Sequence, residues 1–129
     1  MKKTLILVTA LMMTGGLTLA YAVNVDKGKT LFESPGLGGG TTGKSCSSCH
    51  EGGENLGSDL FERKQFTIMK MDKKSLAEVV NICIEKPLGG AAIDTKGQDM
   101  KDLIAYMKTL VTKSTKPVTK KVPKKNKGC

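Results

Sequence analysis

Histidine occurs once in this sequence, as His50, and tryptophan not at all. A zinc centre takes four protein ligands, so one here comes up short unless Cys83 and Cys129 both converge on it. Aromatic residues make up 4% of the chain, and Phe32, Phe61, Phe66 and Tyr106 are the large side chains beyond the first 22 residues. A small domain buries a modest share of its surface, so a core this poor in aromatics is thin by itself. No internal repeat is present, and no segment alternates convincingly enough to read as a strand. Acidic residues are missing from the last 17 positions.

The opening stretch, MKKTLILVTALMMTGGLTLAYA, has the three parts of a secretory signal peptide: basic Lys2-Lys3, an apolar run from Leu5 to Met13, and the small-x-small site Ala20-Tyr21-Ala22. A spanning helix needs roughly 20 apolar residues, and Gly15-Gly16 interrupts this run. No cysteine follows it closely, which argues against a lipoprotein anchor. The expectation is cleavage near Ala22 and export to the periplasm or beyond.

The net charge of +9 is unevenly spread. Residues 23–112 hold 12 basic and 12 acidic residues and are neutral. Seven lysines fall in KSTKPVTKKVPKKNKGC, residues 113–129. Such a tail reads as a disordered extension, suited to docking on an acidic redox partner or an anionic membrane surface. Nucleic acid is not expected as a partner of an exported chain. The organisation is then a leader over 1–22, a domain over 23–112 and a tail over 113–129. Within the domain the pattern predicts an all-α fold. A first helix runs from Lys27 to Glu33, capped by Asp26 and stopped by Ser34-Pro35-Gly36. Leu60 to Met71 reads as helix and loop. Ser75 caps a helix carrying Leu76, Val79, Val80 and Cys83 on one face, broken by Pro87-Leu88-Gly89-Gly90. A last helix spans residues 98–111, with Met100, Leu103, Ile104, Met107 and Leu110 or Val111 as its buried stripe.

Residues 46–50 read Cys-Ser-Ser-Cys-His. C-x-x-C-H is the attachment signature of c-type haem: two thiols reach the two vinyl groups of one porphyrin, and the adjacent histidine ligates the iron. A thioredoxin-like pair would want a βαβ setting that is not visible here. A plain disulfide suits an oxidising compartment but leaves the adjoining histidine unexplained. Just upstream, Gly38 to Ser45 reads GGGTTGKS and satisfies the phosphate-loop pattern letter for letter. That mechanism needs a strand before the loop and a helix after it, and LFESPGL offers no such strand. A covalently held haem would also supply the apolar mass the thin core lacks.

Residues 25 to 112 resemble the class I cytochromes c. The likeness rests on CSSCH, on Gly28 with Leu31-Phe32, and on Leu103, Tyr106 and Leu110. It implies a small helical fold wrapped around one covalent haem c, with Cys46 and Cys49 as thioether sites and His50 as proximal iron ligand. It also implies crossing of the first and last helices near the haem, and an electron carrier rather than an enzyme. The sixth ligand stays open between Met100, whose alternative is core packing, and Cys83. The run from Ser75-Leu76 through Cys83 to Leu103 and Tyr106 looks like the C-terminal haem domain of the Sox thiosulfate-oxidising cytochrome subunit, in which a cysteine at a corresponding place ligates iron. On that resemblance the chain would be the haem subunit of a sulfur-compound oxidising enzyme. Cys83 could otherwise be a buried thiol or pair with Cys129, and Cys129 could link two copies of an otherwise monomeric protein.

Overall fold

The computed structural model describes residues 22–114. The expectations for the leader before Ala22, for the lysine-rich tail beyond Ser114 and for Cys129 lie outside the described residues. Within them the chain is mostly helical, with three α-helices, short 3-10 turns and one two-stranded hairpin. The hairpin modifies the all-α expectation.

Helix α1 spans Val25–Glu33. Its cap is Asn24 and not Asp26: the Asn24 side chain accepts from the Lys27 amide at 2.9 Å. Asn24 has the extended backbone a cap requires, with φ −110° and ψ 102°. Asp26 lies in the first turn, where a negative charge favours the positive end of the helix dipole. The helix stops at Ser34, ahead of Pro35, which disfavours helical backbone in the residue before it.

Helix α2, Leu76–Glu85, begins at Ser75 as the pattern predicts. The Glu78 amide donates to the Ser75 hydroxyl at 3.3 Å, and the Ser75 amide donates to the Glu78 carboxylate at 3.0 Å. This reciprocal pair satisfies two amides that no helical carbonyl can reach. Bonds from the Lys74 amide and the Ser75 hydroxyl hold the Glu78 carboxyl below its ordinary range.

Helix α3 covers Gln98–Ser114, beyond the expected end at 111, since neither glycine nor proline intervenes before Pro117. Its predicted stripe is its buried face: Met100 and Leu103 are fully enclosed, and Met107, Leu110 and Val111 are nearly so.

The segment expected to be helix and loop contains strands β1, Phe66–Ile68, and β2, Met71–Lys73, paired antiparallel with Ile68 opposite Met71. Met69 and Lys70 make the turn at φ 48° and 64°. Hairpin turns with positive φ at both centres normally advertise themselves with Asn-Gly or Asp-Gly. Met-Lys carries no such signal, and three-residue strands are too short for alternation to show.

The frame is the crossing of α1 over α3. Gly28 lies so close to α3 that a Cβ there would collide with the Asp102 carbonyl oxygen and sit 2.9 Å from the Tyr106 Cβ. Phe32 meets Tyr106 edge-on, ring centroids 5.4 Å apart at 67°. Asp102, 1% exposed, accepts from the Asn24 amide at 2.8 Å and from Gln98 Nε2 at 2.7 Å. The Lys27–Asp99 ion pair, at 2.6 Å, bridges the same helices in solvent and contributes little.

The glycine-rich loop is tied down at its far side. The Thr41 and Thr42 amides both donate to the Leu88 carbonyl, at 3.0 and 3.2 Å, and the Ala91 amide donates to the Gly38 carbonyl at 2.7 Å. Helix α1 precedes this loop and one 3-10 turn, Cys46–Ser48, follows it. The strand–loop–helix setting of a phosphate loop is absent among the described residues.

Substituting Gly28→Ala is expected to cost about 3 kcal/mol, the upper part of the range for overpacking, because backbone rather than a yielding side chain meets the new methyl. Gly36→Ala, whose nearest neighbour would be the Ser34 hydroxyl at 3.8 Å, should stay within about 0.5 kcal/mol of the parent. Thermal melts of the two variants check the difference, and equal losses would contradict the close crossing.

Candidate functional site

The Cys-Ser-Ser-Cys-His run is wound into a tight turn. The Cys49 and His50 amides both donate to the Cys46 carbonyl, at 3.2 and 2.9 Å. At its entrance the Ser45 amide donates to the Ser48 hydroxyl at 3.0 Å, and the Ser45 and Ser47 hydroxyls lie 2.7 Å apart. Cys46, Cys49 and His50 therefore sit on consecutive faces of one turn, and all three line a single large cavity.

A second turn follows directly. Gly52 and Gly53 take φ 58° and 92°, and a Cβ on Gly53 would lie 2.8 Å from the Leu110 Cβ of α3. Glycine thus reverses the chain against α3 and brings the Glu54 carbonyl back to His50, whose Nδ1 lies 2.9 Å from that oxygen. A carbonyl oxygen only accepts, so Nδ1 carries the proton and donates. In the neutral ring this leaves the Nε2 lone pair for a ligand, and the ring is held in one orientation. Metal-bound histidines are usually held in this way.

The cavity has a volume of about 1040 Å³, at the top of the range of roughly 300–1,000 Å³ for small-molecule and cofactor sites. Helix α2 contributes Leu76, Val79, Val80 and Cys83, the residues whose spacing puts them on one face; of these only Val80 is buried, and the other buried residues of α2 are Ile82 and Ile84. Leu103 and Met107 of α3 close another side, and Phe66, Ile68 and Met69 of the hairpin a further one. Apart from the motif, the wall is mainly hydrocarbon and sulfur. Among the described residues no group of three His, Cys, Asp or Glu side chains gathers as a metal site. Haem iron asks less of a protein, because the porphyrin supplies four nitrogens and the chain only axial ligands. The wall fits such a group: one oriented imidazole, two neighbouring cysteines and an apolar enclosure. His50 would ligate, and Cys46 and Cys49 would tether.

The candidate sixth ligands part company. Cys83 lines the cavity. Met100, fully enclosed, belongs to the core and is not part of the cavity wall. Met69 does reach the wall, although its spacing from the motif gave no reason to single it out. It is placed there by a turn that the sequence does not announce.

Cys46 and Cys83 carry free thiols, whereas Cys49 is disulfide-bonded. A thioether at Cys49 therefore requires that sulfur in its reduced form. Burial pushes the Cys46 thiol up to about 11, with a smaller contribution from nearby Cys83. Burial likewise raises the Cys83 thiol. Both stay protonated at neutral pH, inert as nucleophiles until something in the cavity engages them. Asp102 is a buried polar residue that pattern reading missed; it lies one position off the apolar stripe of α3, and its partners, the amide of the α1 cap Asn24 and the Gln98 side chain, account for it.

No helix among the described residues is long and apolar enough to cross a membrane. Comparison with protein-family models, with curated proteins and with solved structures finds no match.

In protein produced without haem, Cys46 should be alkylated by iodoacetamide slowly at pH 8, the rate rising about tenfold per pH unit toward pH 11. Peptide mapping by mass spectrometry reads this site by site. A rate that levels off near pH 9 would mean that the thiol is not enclosed as described.

Proposed function

We propose that this chain is an exported, monohaem c-type cytochrome that carries single electrons between redox partners. The supporting observation is the His50 imidazole, oriented by the Glu54 carbonyl, on a cavity wall it shares with Cys46 and Cys49. The small cytochrome c-like fold is part of this reading: α1 and α3 would cross beside the haem, and α2 would line its site. Bound haem supplies a ferric/ferrous couple that accepts and releases one electron. Cys46 and Cys49 would hold it by thioethers, so that the group would not be lost outside the cell. His50 keeps its proton on Nδ1 and offers Nε2. The apolar stripe of α2 with Leu103 and Met107 excludes water, which lowers the local dielectric around the group.

For the sixth position the wall favours Cys83 over Met100. Its thiol, kept protonated by burial, would lose its proton on coordination. The anionic sulfur would then stabilise the ferric state and lower the potential. This placement also supports a second reading, the haem subunit of a sulfur-compound oxidising enzyme, in which Cys83 would lie beside the chemistry. An acidic partner protein meeting the lysine-rich tail, with a membrane surface as the other candidate, completes the proposal.

Protein matured in a periplasm with c-type haem assembly should show a covalent haem spectrum that disappears in the Cys46→Ser/Cys49→Ser double variant. Cys83→Met should raise the midpoint potential by on the order of 100 mV and abolish a low-spin thiolate resonance signal. Met100→Leu should leave both signals in place. Absence of covalent haem from the parent protein would refute the cytochrome reading. Loss of the axial signal in Met100→Leu, with Cys83→Met unchanged, would reverse the ligand assignment.

A further inference from the structure

Asp102 is 1% exposed, and its two oxygens are treated differently. Oδ1 accepts from the Asn24 amide at 2.8 Å and from Gln98 Nε2 at 2.7 Å. Oδ2 is buried and has no hydrogen-bond partner. A buried carboxylate oxygen without a donor costs free energy that such folds rarely leave uncompensated. Gln98 Nε2, which already donates to Oδ1, also reaches the Ala22 carbonyl at 3.4 Å. Gln98 thus links the carboxyl group to the Ala22 carbonyl, and the Asn24 amide meets it directly. Between them lies the Val23 nitrogen, separated from the Asn24 amide by one residue of chain, about 3.6 Å at most.

Ala22–Val23 is the bond at which the Ala20-Tyr21-Ala22 pattern predicts leader removal. We propose that Asp102 is a receptor for the new amino terminus: cleavage after Ala22 creates a Val23 α-ammonium that pairs with Asp102 Oδ2. Hydrolysis by a leader peptidase adds water across the bond. The hydroxyl goes to the Ala22 carbonyl and a hydrogen to the Val23 nitrogen. The amine, with an ordinary pKa of about 7.7–8.0, takes a further proton from solvent at neutral pH. Before cleavage the Val23 nitrogen is a neutral amide with one hydrogen. Afterwards it is a cation with three, placed near a carboxyl oxygen that lacks a donor. Removal of the leader would thereby tighten the α1–α3 crossing and couple export to the final stability of the fold. The inference rests on the export reading.

The test uses full-length protein with its own leader, matured with haem in a periplasm. Two glutamines inserted between Ala22 and Val23 keep the cleavage site, add no second small-x-small site and move the ammonium away, leaving Val23 with an amide. Melting is compared for the parent, the insertion, Asp102→Asn and the combination. With Asp102 present the insertion should lower Tm by about 5 °C, and beside Asp102→Asn by less than about 1 °C. Equal losses in both backgrounds would overturn the pairing. Should Asp102→Asn fail to fold, labelling at pH 7 with an aldehyde selective for α-amines decides: the Val23 amine should react about tenfold more slowly than the amine of the inserted chain. Equal labelling rates would overturn the pairing. Intact mass separates the two levels. An amino terminus other than Val23 in the exported parent would overturn the pairing alone, whereas a parent retained in the cytoplasm with its leader attached would overturn the export reading along with it. A terminus at Val23 without coupling would overturn the pairing alone.

Discussion

The contact between the Gly28 backbone and the Asp102 carbonyl sets the distance between α1 and α3, and the remaining elements are arranged around that distance. Any side chain at position 28 would push the helices apart. With hydrogen there, Phe32 and Tyr106 meet edge-on and Met100 and Leu103 are sealed from water. Burying side chains of this size is worth about 1.5–3 kcal/mol each. The crossing also brings the two ends of the described chain together, because α1 opens it and α3 closes it. Everything between them, including the glycine-rich loop, the Cys-His turn, the hairpin and α2, is an excursion from that joint and returns to it.

This arrangement leaves a core that is complete on one side only. Away from the cavity, Met100 packs to exclusion of solvent, and Phe32 and Leu103 are buried at the cavity's border. On the other side, the apolar stripe of α2 looks across the cavity toward the Cys-His turn instead of onto another helix. A stripe of Leu76, Val79, Val80 and Cys83 has no reason to stay exposed in a small domain with few aromatics, since its burial is where stability would come from. In the proposed reading a covalent haem fills that gap, acting as cofactor and as missing core. The disulfide at Cys49 is the competing use of one of the tethering sulfurs. Only one of the two bonds can exist at a time.

Legibility followed the range of the interaction concerned. Ser75 and Glu78 announced the start of α2 because a capping box is local, and three residues of sequence contain all of it. The stripes of α2 and α3 were readable because helical periodicity is local too. Asp26 was expected as the cap and Asn24 holds the position, because both residue types suit the role. The choice depends on which of them has extended backbone, and Asn24 is further engaged by Asp102, 78 residues away. The hairpin escaped notice because its turn is Met-Lys and its strands are three residues long. Pairing across such a turn is decided by Phe66 entering the core, a gain that no local window contains.

The candidate site divides along the same line. The sequence alone determined which groups can do chemistry: two cysteines and the only histidine within five residues, flanked by glycines that permit sharp turns. These are covalent facts of spacing, and no fold can alter them. The tertiary structure alone decided which distant groups face that turn. It put Cys83 and Met69 in the cavity wall, withdrew Met100 into the core and set the Glu54 carbonyl against His50 Nδ1. It also buried Asp102 beside the start of α1. Periodicity says that a residue is on the inward face of its helix. Whether that face meets packed side chains or a cavity depends on how close two helices come, and at this crossing that distance is set by the missing Cβ of Gly28.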